Sequence, residues 1–483
     1  MTRARRAGAA LLLLLSGGCQ SLESQFAEDR AAVAAAVAER GGVVDGRTRA
    51  RLPGETSEVQ GAADEATGDD AVAADGAAAE AAVAASVARA LADGVTEAEA
   101  VELALLLHPG LAAQVERLGV ARAQLRRAVL PSNPLLAANW KFFAGPDEVE
   151  LSLTQPFFDL LFAPLRRRLA EAERSAIEAQ VTEALVHHLY EVRRAHARAL
   201  AAAQRLARAR LASAADGAGA ELMELLHDAG NVVDPQRTHA AIDAAVAKER
   251  ALAATLEQRV AQEALQRAIG LDGAVGEWQV AGEWPPPLPA PLAPSEAAAR
   301  AVERSLALAE SRARIVAAAE RIGVEGRAAW LGDGEAGVAA KHETSGDWGV
   351  GPALALSLPL FDAGGVARFE GGAQLRAEQL AARALQLEVE SHARAAASTA
   401  RLAAERAAAA RDLEQPLQAQ LVRETVQQYN AMQIGAFDVL AARRAELAAE
   451  ERVVELAVAA RVAALELAEL LAGSRPHSGD REP

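Results

Sequence analysis

Leu153-Thr154-Gln155-Pro156-Phe157-Phe158-Asp159 recurs, with Leu, Pro, Phe and Asp in place, as Leu356-Ser357-Leu358-Pro359-Leu360-Phe361-Asp362, 203 residues further on. Gly230 is answered in the same way by Gly435, at an offset of 205. Internal similarity at a fixed spacing means one structural unit used twice. Gly270 to Pro294, with Trp284-Pro285-Pro286-Pro287-Leu288-Pro289 inside it, separates the copies. Its prolines cannot donate backbone hydrogen bonds, so it reads as an extended linker. The organisation that follows is 1–19 signal, 20–94 polar lead-in, 95–269 first repeat, 270–294 linker, 295–472 second repeat and 473–483 tail.

Each copy predicts the same order of elements. A helix of about thirty residues comes first (97–129; 295–323), and Thr96 with Glu99 has the spacing of a capping box at the start of the first. Two short alternating stretches follow. They are Leu135 to Phe143 and Val149 to Gln155 in copy one, and Arg327 to Lys341 and Gly349 to Leu358 in copy two. Turn-rich tetrads, Ala144-Gly145-Pro146-Asp147 and Thr344-Ser345-Gly346-Asp347, divide them. Very long helices run from about Pro164 to His227 and from about Val366 to Asn430. At 1.5 Å per residue each extends on the order of 90–100 Å. Kinks are expected at Asp216-Gly217-Ala218-Gly219 and at Pro416. A Gly-containing turn and a return helix close each copy.

The 483 residues carry 50 basic and 66 acidic side chains, for a net charge of −16. That balance argues against a nucleic-acid partner, whose phosphates need a basic face. The single cysteine excludes a disulfide framework and a Cys-rich metal site. Aromatic residues are only 3% of the chain, and Ala, Leu, Val, Glu and Arg dominate, the composition of long packed helices. Gly61 to Glu80, poor in large apolar residues, is expected to be mobile.

Arg3, Arg5 and Arg6, the apolar run Ala7 to Leu15, and Ser16-Gly17-Gly18-Cys19 describe a secretory signal. It is about half as long as a membrane-spanning helix. Because Cys19 directly follows small residues, the segment resembles a bacterial lipoprotein signal with Cys19 as the acylated residue. An ordinary cleaved signal is the alternative. Gln20 and Ser21 lack the Asp that retains such lipoproteins at the inner membrane, so the outer membrane is favoured.

Nine of the sixteen aromatic residues cluster around the four short stretches: Trp140, Phe142, Phe143, Phe157, Phe158, Phe162, Trp330, Trp348 and Phe361. Aromatic residues at strand ends anchor membrane barrels at the two interfaces. A soluble core beside a hairpin would use them too. The secretory signal and the lack of apolar helices favour the barrel, with Trp140, Phe142, Phe143, Trp330 and Trp348 as anchors. Four strands cannot close a barrel, and open edges are forbidden in lipid. Strands must come from other copies, and three chains supply twelve. The fold class is therefore mainly α: two tandem repeats of long antiparallel helices, part of a trimeric α-barrel, with four strands per chain in a 12-stranded outer-membrane β-barrel.

Over about residues 95 to 472 the chain resembles the TolC-type outer-membrane factor (outer membrane efflux protein) family. The resemblance is carried by Val95 through Ala104 with His108-Pro109-Gly110-Leu111, and by Leu130-Pro131-Ser132-Asn133-Pro134. It continues in Leu358-Pro359-Leu360-Phe361-Asp362 with Gly364-Gly365, and in the two far turns, His227-Asp228-Ala229-Gly230-Asn231 and Tyr429-Asn430-Ala431-Met432-Gln433-Ile434-Gly435 with Asp438-Val439-Leu440. It implies a homotrimeric, passive exit duct of a tripartite efflux or secretion system, set in outer-membrane lipid. A periplasmic adaptor (membrane fusion protein) would dock on the far turns, and an inner-membrane transporter would supply the energy. The wording of the turns is most similar to branches serving heavy-metal, particularly copper, resistance.

Gly230, Asn231, Tyr429 and Gly435 are the docking candidates. Both glycines are also expected in the left-handed backbone of a reversal, and the Tyr429 ring could simply cover the last helical turn. Asp438 falls near the family's ring of aperture carboxylates, yet an Asp after a turn also makes a good helix N-cap. Asp234 before Pro235 reads as a cap. His187, His188 and His196 share a helix without metal-ligand spacing and read as packed or solvated. No catalytic constellation, cofactor motif or metal site is indicated. A channel-less adaptor lipoprotein or structural periplasmic coiled coil is the alternative. An adaptor has one hairpin and several β-rich modules, and a coiled coil lacks aromatic-bearing strands.

Overall fold

The computed structural model describes residues 22–41, 85, 87–141, 148–271, 278–282, 292–331, 334–343, 346–356 and 360–475. Cys19, Phe142, Phe143, the acidic stretch Gly61 to Glu80 and the Trp284 to Pro289 run lie outside them. The elements are α1 (Leu22–Gly41), α2 (Glu97–Leu107), α3 (Pro109–Val129), β1 (Leu135–Lys141), β2 (Glu148–Pro156), α4 (Phe157–Asp228) and α5 (Asp234–Ile269). The second repeat supplies α6 (Pro294–Arg304), α7 (Leu306–Leu331), β3 (Glu335–Glu343), β4 (Gly349–Ala355), α8 (Gly365–Ala409), α9 (Gln415–Asn430) and α10 (Ala436–Ala472). Among the described residues no helix is long and apolar enough to cross a membrane.

Several predicted boundaries move, each for a local reason. The opening helix of each repeat is two helices. Pro109 cannot continue α2, so His108 caps it. The second repeat breaks at Ser305, with no proline to announce it. The segment from Arg327 to Leu331, expected in a strand, completes α7. Trp330 is therefore helical, which removes it from the strand anchors. β2 runs straight into α4, which starts seven residues before Pro164 and continues unbroken for 72 residues, through the expected kink at Asp216 to Gly219. The irregularity near Pro416 is present. Pro416 has no N–H for the carbonyl four residues back, and one π turn (Ala410–Glu414), closed by Gln415 N–H to the Ala410 carbonyl, accommodates it.

The lead-in is more structured than its composition suggested, because α1 is a 20-residue helix. Asp29, Val33, Ala34 and Val37, at helical spacing, are buried, as is Gly41 at its end. That weak periodicity, in an Ala-rich context, was the available signal.

The chain forms two compact units. The first comprises the described residues up to Val33, Gln114–Thr182 and Leu306–Leu387. It holds the sheet and the helix ends around it, with Val115, Leu118, Phe162, Val181 and Ala317 buried. Buried Asp29 accepts from Arg122 Nε of α3 at 2.7 Å and from Arg174 Nη1 of α4 at 3.3 Å. These bonds tie α1 to the first repeat.

The second unit comprises Ala34–Ala113, Glu183–Ser305 and the residues from Glu388 on. Its core joins buried Leu185, Leu189, Met223, Leu265 and Ile269 to small-residue clusters such as Ala297, Ala397, Ala400 and Ala463 around Leu467. The capping box is made: Glu99 Oε2 accepts from Thr96 N–H at 2.9 Å, and Thr96 Oγ1 accepts from Glu99 N–H. Val95 pairs with Val280 of the linker, next to a buried Trp278. Arg40 Nη1 donates to the Arg304 and Ala472 carbonyls at 2.6 and 2.9 Å, closing the ends of α6 and α10. Gly473 (φ 102°) ends α10 there, and a Cβ would lie 2.1 Å from the Arg304 oxygen, so only glycine fits.

Candidate functional site

Two features qualify as sites, one in each unit. The first is the sheet. Its strands are antiparallel in the order β1-β2-β3-β4, so among the described residues β1 and β4 each pair on one side only. Cross-strand partners share a face, and the register sorts the side chains cleanly. One face carries Trp140, Val149 and His342, then Ala138, Leu151, Ala340 and Val350, then Leu136, Leu153, Val338 and Pro352, then Gln155, Ala336 and Leu354. The other carries Lys141 and Glu148, then Asn139, Glu150 and Lys341, then Ser152 with Ala137 and Ala339, then Thr154 with Leu135 and Gly337.

The apolar face is not packed into a core: Leu136, Val350 and Leu354 are 70%, 69% and 70% exposed. A soluble hairpin lobe would bury it. The polar face is joined across three strands by Glu148 Oε1, 2.9 Å from Lys341 Nζ and 3.7 Å from Lys141 Nζ. Trp140 and Trp348 are half exposed or more at the turn end of the strands. Trp348 precedes β4 and stacks on His342 with centroids 5.0 Å apart.

The second site is the pair of helix reversals. In the first, Gly230 N–H reaches the His227 carbonyl and Asn231 N–H the Leu226 carbonyl, both at 2.8 Å. In the second, Met432 N–H reaches Tyr429 at 2.9 Å and Gln433 N–H reaches Gln428 at 3.0 Å. Both are Schellman motifs, superimposing at an offset of 202. The expected match of Gly230 with Gly435 is therefore corrected. Gly230 (φ 74°) has Met432 (φ 59°) as its counterpart. Gly435 (φ −88°) is not left-handed; it is the N-cap of α10, as Val233 is of α5.

Asp438 is three residues inside α10, where its Oδ2 accepts from Gly435 N–H at 3.0 Å. Gln236 Oε1 does the same for Val233 at 3.2 Å. Asp438 thus back-bonds the helix start without being the cap itself. Asp234 is the first residue of α5, with Val233 as the cap, and its Oδ1 lies 3.1 Å from His227 Nε2.

The two tips differ in chemistry. The first mixes His227, Asp228, Asp234 and Arg237, whereas the corresponding Tyr429 to Val439 carries Asp438 as its one charged residue. Tyr429 is half exposed and Met432 is 94% exposed. Sequence reasoning missed Met432, since nothing in composition marks a methionine as left-handed. A side chain in that region costs on the order of 1–2 kcal/mol. Gly230 has open space around it, so Gly230→Ala is expected to cost about 1 kcal/mol through the backbone alone. Met432→Gly should gain up to about 1 kcal/mol. Urea-unfolding midpoints should move in these opposite directions.

The three helix histidines are all packed, as expected. His187 Nδ1 lies 2.5 Å from Glu469 Oε1, His188 Nε2 donates to the Ala268 carbonyl at 2.8 Å, and His196 Nε2 donates to the Val95 carbonyl at 3.1 Å. Arg444 of α10 bridges Asp216 of α4 at 2.7 Å and Asp243 of α5 at 2.6 Å. Leu440 approaches α4 at Gly219. These contacts brace the Asp216 to Gly219 segment, which is helical throughout. Among the described residues no group of three or more His, Cys, Asp or Glu side chains is arranged to hold a metal.

No protein-family model matches the chain, and no curated protein sequence matches it. Solved structures do. A membrane protein from Pseudomonas aeruginosa is similar with a TM-score of 0.66 at 19% identity, over 80% of this chain and 92% of its own. The outer membrane channel CmeC of Campylobacter jejuni gives 0.65 at 14% identity, over 80% and 87%. CusC, described as forming a transmembrane channel, gives 0.62 at 17% identity, over 77% and 91%. The chain has the fold of these proteins.

Proposed function

We propose that the chain is a TolC-type outer-membrane factor: the outer-membrane channel of a tripartite efflux or secretion system, a passive export duct for small solutes. The amphipathic four-stranded sheet with two unpaired edges carries this reading. Apolar-out, polar-in alternation is the pattern of a membrane barrel, and an open edge is not tolerated in lipid. Three chains joined β4 to β1 make a closed wall of twelve strands, with the Glu148 face lining the lumen. The likeness in fold to solved outer-membrane channels supports the same reading.

The finer assignments follow from it. The helical portion extends into the periplasm as a trimeric α-barrel, and Cys19, acylated, adds a lipid anchor. The reversals at Gly230-Asn231 and Tyr429 to Gly435 dock a periplasmic adaptor that connects the duct to an inner-membrane transporter. Met432, 94% exposed on the second tip, joins these contacts. Asp438, bonded to Gly435 through Oδ2, would still place a carboxylate charge at the aperture of a trimer. Heavy-metal ions, copper foremost, are the proposed cargo. Comparing a deletion strain with its parent on copper, zinc, dyes and detergents tests that choice.

Purified protein added to planar bilayers should give discrete conductance steps, and native sizing should give a trimer. A monomer that conducts nothing would leave the channel-less coiled coil standing instead.

A further inference from the structure

His108 occupies a joint in the second unit. It caps α2 through its N–H to the Ala104 carbonyl at 3.1 Å, and its own carbonyl accepts the amides of Leu111 and Ala112 at the start of α3. Gly270, the left-handed residue that ends α5, is so close that a Cβ there would stand 2.7 Å from His108 Cα. The His108 ring meets the His188 ring of α4 with centroids 4.2 Å apart, tilted by 45°.

The two imidazoles are not equivalent. A carbonyl only accepts, so His188 Nε2, 2.8 Å from the Ala268 oxygen, carries a proton. His188 Nδ1 is 3.5 Å from Glu191 Oε2, which gives its second nitrogen an acceptor too. His108 Nδ1 is buried with no hydrogen-bond partner.

We propose that the His108–His188 contact is an acid-sensitive hinge, in which protonation of His108 against the His188 ring parts the α2–α3 joint from the end of α5. The charges facing His108 are those of His188 and Glu191, both from α4; α5 offers only backbone at Ala268 and Gly270. Burial first, and His188 second, hold His108 below the ordinary imidazole value of 6.5, against a weaker opposing pull from Glu191. Glu191 is itself lowered to about 2, chiefly by its hydrogen bond with His188, so it stays ionised throughout. A histidine with a depressed folded pKa contributes stability above pH 6.5 that is lost as the pH falls below it. On the localisation proposed above, the helices lie in a compartment whose acidity follows the medium.

Hydrogen exchange on the full-length protein in detergent, corrected for intrinsic rates, tests the hinge. Between pH 7.5 and 5.5, protection of peptides covering Leu107–Val115 and Gln266–Leu271 should fall about tenfold relative to the α9–α10 reversal. His108→Gln should hold the change under twofold while keeping the neutral-pH protection. Should that variant fold poorly, His108→Phe keeps a ring against His188 and should respond in the same way. A flat wild-type profile, or an undiminished drop in the folded variants, overturns the proposal. Neither outcome depends on whether the protein conducts.

Discussion

On the proposed twelve-stranded barrel, Leu151→Arg is expected to abolish stable insertion of the trimer. Leu151 sits mid-strand on the apolar face, between Ala138 and Ala340. An Arg facing lipid near the bilayer midplane costs about 2–4 kcal/mol. Threefold assembly repeats that cost, giving about 6–12 kcal/mol per barrel. Its neighbour Ser152 points to the opposite face, beside Ala137 and Ala339, so Ser152→Arg keeps its charge in the lumen and should insert normally. Carbonate-resistant membrane fractions and native electrophoresis would compare the two. Equal insertion of both variants would mean that the sheet does not face lipid.

Glu469→Ala should give the largest loss of stability in the second unit. The carboxylate is buried on α10, and both its partners come from α4: Arg194, as a close ion pair, and His187. Removing it strands a mostly buried guanidinium, a change that costs about 3–5 kcal/mol. For a cooperative unit of roughly 150–250 residues this lowers Tm on the order of 10 °C.

The pH dependence has a definite sign. Burial alone would raise Glu469, but the hydrogen bond with His187 and the charge and hydrogen bond of Arg194 outweigh it, leaving the group below its ordinary 4.5. Its contribution is present above pH 4.5 and lost as the pH falls through the lowered value. His187 is raised above 6.5, chiefly by its hydrogen bond to Glu469. Its contribution is complete below 6.5 and fades as the pH climbs through the raised value. The Tm difference between wild type and Glu469→Ala should therefore be greatest between about pH 5 and 6.5 and shrink on either side. A difference that grows steadily above pH 7.5 would contradict the assigned partners.

The element order was legible because it rests on local chemistry. The strands announce themselves by alternation and the hairpins by Gly, Pro and Asp. The capping box at Thr96 and Glu99 is spelled out by spacing alone. The misses have an equally physical origin. Trp330 was assigned to a strand as part of the alternating stretch Arg327 to Lys341, yet Arg327 to Leu331 continues α7. The pairing of Gly230 with Gly435 followed residue identity, whereas hydrogen bonds define the reversal and place Met432 at the left-handed position. Asp216 to Gly219 reads as a weak point in isolation, but Arg444 and Leu440, more than two hundred residues away, hold it.

The sequence by itself determined the repeat, the four strands and two long hairpins, and the alternation that gives the sheet one apolar face. Each of these depends on neighbours a few positions apart, where backbone preference and side-chain period decide. Only the tertiary structure decided which strands pair and in what register, that α1 is fastened through Asp29 and Arg40, and that Glu469 meets His187 and Arg194. Those outcomes depend on which distant groups can satisfy one another's charges and hydrogen bonds once buried. No local pattern records that.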